Sequence, residues 1–293
     1  MSELFRRAFK LAIGSIVIDG TAVDYFPLDI AFTVAKSVKK EPNTIELQVF
    51  NLSADHRSEI ESSRDVAVDL HAGYAGNMEL IFSGDLRVSS TRKVSKSKKS
   101  KTKLATKREA LETITEISAD DGGRAYRDAR IAASYPPGVT VSALISACIS
   151  AMSIGSGNLR DYATSSTITG IGATYPTGTV LYGKARDELD RIIRSAGLRW
   201  SIQNGNLQIL SGNNPIQETA VLLNYETGLI GSPEKASDGT ITARSLLIPE
   251  LMPGRKVVLE SKTGRDQCII KRVVFSGDSA GNDWYASLEM RTY

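Results

Sequence analysis

LDIAFTVAKSVKKEPNTIELQVFNLS, residues 28–53, carries two strand-like runs on either side of Lys39, Lys40, Pro42 and Asn43. In the second run Ile45, Leu47 and Val49 share one face while Glu46 and Gln48 point the other way, which is the period of two of a half-buried strand. The stretch predicts a β-hairpin with one face on a core. Its neighbours extend the pattern. ADHRSEIESSR (54–64) reads as a short polar helix, and DVAVDLHAGY (65–74) and MELIFSGDLRVSS (78–90) read as strands punctuated by Gly73 and Gly76. KREALETITEIS (107–118) reads as another strand, with Leu111, Thr113 and Thr115 alternating against Glu112, Ile114 and Glu116.

Further along, the character changes. ADDGGRAYRDARIAASYPPG (119–138) is rich in turn residues. TVSALISACISAM (140–152) then places Val141, Leu144, Ile145, Cys148, Ile149 and Met152 on one helical stripe, with Thr140 as N-cap. After a Gly-, Ser- and Thr-rich stretch from Gly155 to Gly178, KARDELDRIIRSAG (184–197) predicts a second helix burying Ala185, Leu189, Ile192, Ile193 and Ala196 and stopping at Gly197. LRWSIQNGNLQIL (198–210) is a hairpin on the Asn204-Gly205 pair, the dipeptide best suited to a two-residue turn with both φ angles positive. TITARSLLIP (240–249), RKVVLESK (255–262), QCIIKRVVFS (267–276) and NDWYASLEMRT (282–292) are four further strands, spaced as in a barrel or sandwich. The expected class is mainly β with a small α+β insert: a β domain over 1–118, a helix-plus-hairpin domain over 119–221 and a second β domain over 222–293.

Between two of the early strands lies RKVSKSKKSKTKLATKR (92–108), with nine cations and no acid. The whole chain has 36 Lys plus Arg against 33 Asp plus Glu, so the rest of the body is net acidic and the basicity is local. Lys96 and Lys98, then Lys99, Lys101 and Lys103, repeat a spacing of two with the parity shifted, as in an extended ribbon that turns near Lys98 and Lys99. The expectation is a hairpin tip, solvated unless an acidic partner meets it. No aromatic residue lies between Val94 and Arg108, so the stacking platform of a single-strand binder is missing.

Composition excludes several chemistries. The two cysteines, Cys148 and Cys268, are far apart in apolar patterns, so they form no disulfide framework, and two histidines are too few for the usual metal sites. Glu3, Arg6, Arg7 and Lys10 break any signal-peptide core, and no apolar run approaches the ~18–20 residues of a membrane span. A soluble chain made in a cytoplasm is expected. Gly277-Asp278-Ser279-Ala280-Gly281 matches the hydrolase elbow G-x-S-x-G, yet a strand-like run follows it and both histidines precede it. The segment from Gly178 to Ala185 nearly matches a phosphate loop, but Ala185 stands where a Ser or Thr must hold magnesium. Asp120/Asp121 sit in a turn, and Asp187/Glu188 complement a helix dipole. No catalytic, cofactor or metal site is expected.

Several segments together carry a resemblance: FRRAFKLAI, PNTIELQVFNLS, ADDGGRAYRDARIAASYPPGVTVSALISACISAM, GKARDELDRIIRSAGLRWSIQNGNLQIL, NYETGLIGSPEKASDGTITARSLLIPELMPGRKVVLES and VVFSGDSAGNDWYASLEM. In pattern and order they resemble the central baseplate hub proteins of contractile-tailed bacteriophages, related to the hub portion of type VI secretion spikes. The resemblance implies a homotrimer in which each chain supplies two tube-type β-barrel domains, so that six barrels match a sixfold tail tube and three chains match a threefold spike. It implies a virion protein assembled in the host bacterial cytoplasm. Its partners would be the tail tube protein, the spike protein, other baseplate proteins and the tape measure protein, with DNA crossing the lumen without specific binding. This sequence lacks a lytic domain and a long C-terminal β-helix, so the piercing spike would be a separate polypeptide. Lys96, Lys98, Lys99, Lys101 and Lys103 would then reach an acidic surface on a neighbour. The competing expectations are a nucleic-acid-binding module acting through those lysines and a hydrolase or nucleotidase built on Ser279 or Lys184.

Overall fold

The computed structural model describes residues 6–21, 28–63, 66–95, 111–164, 170–212, 214–216, 218–262 and 264–293. The elements of the first part are β1 (Arg7–Ile13), β2 (Ile16–Asp19), β3 (Ile30–Ser37), β4 (Thr44–Phe50), α1 (Ala54–Ser62), β5 (Ala67–Tyr74), β6 (Asn77–Ser95) and β7 (Leu111–Asp120). The middle holds α2 (Gly123–Asp128), β8 (Arg130–Tyr135), α3 (Val141–Met152), α4 (Leu159–Thr164), β9 (Thr179–Lys184), α5 (Ala185–Ser195), β10 (Arg199–Gln203) and β11 (Asn206–Leu210). The last part comprises β12 (Val221–Leu223), β13 (Leu229–Lys235), β14 (Thr240–Leu246), β15 (Lys256–Ser261), β16 (Gly264–Asp278) and β17 (Trp284–Thr292).

The quoted hairpin is β3–β4, paired so that Phe32 faces Leu47 and Val34 faces Ile45. The period of two does what it predicts: Ile30, Phe32, Val34, Ile45, Leu47 and Val49 are all buried, and they join Val273, Phe275, Trp284, Leu288 and Met290 of the distant C-terminal strands in one core. The ladder shows no closed barrel among the described residues. It shows one 13-stranded sheet, in the order β13-β14-β17-β16-β3-β4-β7-β6-β5-β1-β2, with β15 and β12 branching from β16. The physical reason is the length of β16: one edge of this strand pairs with β15 over Gly264–Ile269 and then, beyond a bulge at Lys271, with β3 over Arg272–Asp278. A strand shared in this way joins the early and late β portions, which were expected as separate barrels, into a continuous surface.

The same ladder nevertheless occurs twice. Hairpin β3–β4, then α1, then β5–β6–β7 with β7 returning to β4, matches hairpin β13–β14, then a loop, then β15–β16–β17 with β17 returning to β14. Even the irregularities correspond. A bulge interrupts β6 against β7 between Leu86 and Val88, and one interrupts β16 against β17 between Ile270 and Arg272.

The joint between the portions is packed around Trp284. Its ring lies edge-on to Phe32 at 5.4 Å, its Nε1 donates to Gly73 O at 3.0 Å, and the Arg7 guanidinium covers it at 5.7 Å. Arg7 also donates to the carbonyls of Asp278 (3.1 Å), Gly281 (2.6 Å) and Asn282 (2.9 Å), tying β1 to the β16–β17 turn. Gly277 sits where its strand passes between the two rings; a Cβ there would meet Phe32 at 2.3 Å and Trp284 at 2.9 Å.

The middle segment has a second core. Val141, Leu144, Ile145, Cys148, Ile149 and Met152 of α3 pack on Ala185, Leu189, Ile192 and Ile193 of α5 and on Trp200, Ile202, Leu207 and Ile209 of the β10–β11 hairpin. Thr140 caps α3 by accepting from Ala143 N at 3.2 Å, and Gly197 ends the α5 turn at φ +74°. Asn204 and Gly205 both take positive φ, 52° and 72°, as a two-residue turn demands. Sequence periodicity did not mark β1, β2, β12 and β13, nor β8 within the turn-rich stretch.

Candidate functional site

The tip of the β10–β11 hairpin plugs into the large sheet, and the residues around it are the only concentration of buried charge among the described residues. Asp121, fully buried, accepts from Asn204 N (2.7 Å), Gly205 N (2.9 Å) and Asn43 Nδ2 (3.1 Å). Asn43 also donates to Ile202 O at 2.8 Å, and Gln203 Nε2 donates to Ser37 O at 2.8 Å. Lys36, 1 % exposed, points inward from β3 and donates to Ile81 O at 3.1 Å and to Asn204 Oδ1. Burial pulls its ammonium down to about 8, and the nearby Asp121 carboxylate opposes that fall. Every member has a structural partner, so the cluster is a latch between the middle segment and the sheet. The alternation in LDIAFTVAKS marks position 36 as inward-facing; only the tertiary contact shows why a lysine is there.

The solvent side of the sheet is open. Over β6, β7, β4, β3 and β16 it forms a groove of about 590 Å³ lined by Thr33, Glu46, Gln48, Glu116, Ser276 and Asp278, among others. A second groove of about 360 Å³ continues it over β16, β17, β14 and β13, with Thr242, Arg244, Arg272, Val274, Ser287 and Glu289. Side chains here are short or paired. Arg92 meets Glu116 at 2.8 Å, Arg272 meets Glu289 at 2.9 Å, and the Arg244 guanidinium lies 4.1 Å from the Tyr285 ring centre. Such a face offers no uncompensated cationic track for phosphates and no row of aromatic rings for bases, the two features that hold a nucleic acid.

The structure disperses the enzyme-like motifs. Ser279 Oγ lies in the β16–β17 turn, accepts from Ile30 N at 2.9 Å and faces Asp29 Oδ1 at 3.3 Å, so it caps the start of β3 with no histidine in contact. The near-phosphate loop is strand β9, and Lys184 is the residue before α5. Asp120 pairs with Arg127 (3.5 Å) and Arg87 (3.7 Å), and Glu188 with Arg191 (2.6 Å). Burial pushes the thiols of Cys148 and Cys268 up to about 12 and about 11, which disfavours the nucleophilic thiolate. Lys96, Lys98, Lys99, Lys101 and Lys103 lie outside the described residues; β6 and β7 are paired up to Ser95 and Leu111, at the root of that segment. Among the described residues no group of three or more His, Cys, Asp or Glu is placed to hold a metal ion, and no helix is long and apolar enough to cross a membrane.

No protein-family model and no curated protein sequence matches the chain. Solved structures do. The chain is similar over 98 % of its length, and 97 % of the other's, to the 43 kDa tail protein of prophage MuSo2 from Shewanella oneidensis, at a TM-score of 0.61 and 10 % identity. It is similar to the same extent to a tail protein from Neisseria meningitidis MC58, at 0.57 and 10 %. A third similar structure is the E. coli c3393 protein, a type VI secretion system component described as resembling the T4 bacteriophage tail proteins gp27 and gp5; there the TM-score is 0.56 and the identity 13 %, over 97 % of this chain and 77 % of that one. The fold is therefore that of phage tail proteins and of a type VI secretion component along essentially the whole chain.

Proposed function

We propose that this protein is a structural component of a contractile phage tail: the trimeric baseplate hub that joins a sixfold tail tube to a threefold spike and leaves a channel for DNA. The observation that carries the reading is the chain-long fold match to tail proteins, here combined with a ladder that occurs twice. A duplicated unit lets three chains present six similar surfaces, which is what a symmetry adaptor needs. Residues 1–118 and 222–293 supply the ring units in this reading, and 119–221 is a module latched to them by Asp121 and Asn43. The solvent face of the sheet, with paired charges and short side chains, suits a lumen through which DNA slides unheld. Lys96, Lys98, Lys99, Lys101 and Lys103 reach an acidic surface on an adjoining tail component, the tube or spike protein among them. The described site residues serve assembly and not catalysis.

Light scattering on the purified chain, followed by class averages of the particle, tests the proposal. The expected result is a mass of three chains and a threefold ring with six similar lobes. A single-chain mass, or a ring of six chains, would count against it. Replacing the five lysines by serine is expected to leave that mass unchanged and to weaken capture of the partner at low salt, since exposed charges are screened over roughly 10 Å at 0.1 M.

A further inference from the structure

The chain already contains one head-to-tail joint between its repeated units, and its two outer edges are the matching halves of another. In the internal joint β16 pairs with β3: Val274 faces Ala35, Phe275 faces Val34 and Ser276 faces Thr33. The ladders fix the equivalent residues. Ser90 and Arg92 stand in β6 where Val274 and Ser276 stand in β16, each the same number of steps beyond the matching bulge. Glu234 faces Thr242 as Thr33 faces Glu46, and Ala236 N bonds Thr240 O at the place where Ala35 pairs with Thr44. Beyond Asp85 no described strand pairs with β6 opposite β7, and none pairs with β13 opposite β14. Ser90, Arg92, Glu234, Lys235 and Ala236 are all exposed.

We infer that the β6 edge of one copy pairs antiparallel with the β13 edge of the next, in the register that sets Ser90 against Ala236, Thr91 against Lys235 and Arg92 against Glu234. The inference rests on the ring reading above and deepens it by naming the surface that joins the copies. Three features of the residues fit. The register, taken only from the repeat, brings Arg92, which pairs with Glu116 in its own chain, onto a second acid at Glu234. The core-facing positions are also altered in the right sense. Val273, Phe275 and Val34 bury apolar surface within the chain, whereas Ser89, Thr91 and Lys235 at the outer edges keep a free copy soluble. Finally, Pro233 removes an N–H from the outward edge of β13, and β13 is bulged between Ile230 and Glu234, so the joint is a short ladder over Glu234–Ala236. Those are also the devices that keep an edge from pairing with arbitrary strands. Because the contact is heterologous, repetition of one operation generates a ring when the rotation closes.

The test is the full chain carrying Ser90→Cys and Ala236→Cys together, oxidised mildly and run under denaturing, non-reducing conditions. Facing residues of such a ladder bring Cα atoms to about 4.5–5.5 Å, within disulfide reach. Covalent dimers and trimers are expected from the double variant and not from either single one, and a Ser90→Cys, Asp238→Cys pair, out of register, is expected to cross-link at least tenfold more slowly. Arg92→Glu is expected to weaken association several-fold, and adding Glu234→Arg to restore it. A wild-type chain that light scattering finds trimeric but whose double variant does not cross-link, or whose charge swap fails to rescue, overturns this joint and leaves the ring standing. A wild-type chain that stays monomeric overturns both.

Discussion

Gly277 belongs to a stretch that reads as an enzyme signature in sequence, yet the constraint on it is steric. Its cross-strand neighbours on either side are Phe32 and Trp284, and the absent Cβ is what lets the two rings meet edge to face. Gly277→Ala is expected to cost about 1–3 kcal/mol by overpacking, measured as a shift in the urea midpoint, with partial recovery in the Phe32→Leu background. Ser279→Ala should cost about 1 kcal/mol through the lost bonds to Ile30 N and Asp29 Oδ1. Lys36 makes a signed prediction. Its folded value of about 8 lies below the 10.5 of an ordinary lysine, so between those values the unfolded chain holds the extra proton and the fold gains stability from this group as pH rises. The gain totals about 3 kcal/mol across the window and vanishes below it. Urea titrations at pH 7 and pH 10 on wild type and Lys36→Met check this: the stability difference between the two proteins should shift in favour of wild type at the higher pH. The raised thiols and tyrosines pull the other way in both proteins and cancel in the comparison. Alternation places Lys36 on the inner face, but its carbonyl and amide partners come from residues 81 and 204, far away in sequence.

Among the elements, those with a strong local code are where the sequence puts them. The α3 stripe, the α5 stripe, the Thr140 cap, the Gly197 stop and the Asn204-Gly205 turn each depend on contacts or dihedral angles within a few residues, and each is present. Strands β8, β12 and β13 are short or carry Gly and Pro, so their pairing comes from partners and not from their own periodicity. β7 shows the same limit at finer grain. Thr115 is buried on the core side with Ile117, while Ile114 lies on the opposite face with Glu116, across from Phe50. The hairpin tip at Asn204-Gly205 is predictable as a turn, but its use as a plug is not. Asp121→Ala removes the acceptor of Asn204 N, Gly205 N and Asn43 Nδ2 and should destabilise by about 3 kcal/mol, with amide exchange at residues 204 and 205 accelerating before that of β3 and β4.

For the whole molecule, the sequence by itself determined a mainly β chain with a helix-plus-hairpin insert and a local basic segment, because alternation, stripes, turn dipeptides and counts are properties of neighbours along the chain. The resemblance to baseplate hub proteins, drawn from pattern and order, agrees with a fold shared with tail proteins at 10 % identity. Tertiary structure alone decided that the early and late β portions merge through β16 and β3 into one 13-stranded sheet, that the ladder repeats down to its bulges, and that Lys36 and Asp121 both bind Asn204 at the hairpin tip. The merger depends on strand edges that find one another across 235 (Arg272 and Ser37) to 247 (Asp278 and Ala31) residues of chain. Edge pairing uses backbone groups that every residue carries, so the side-chain sequence constrains it only weakly until the fold brings the edges together.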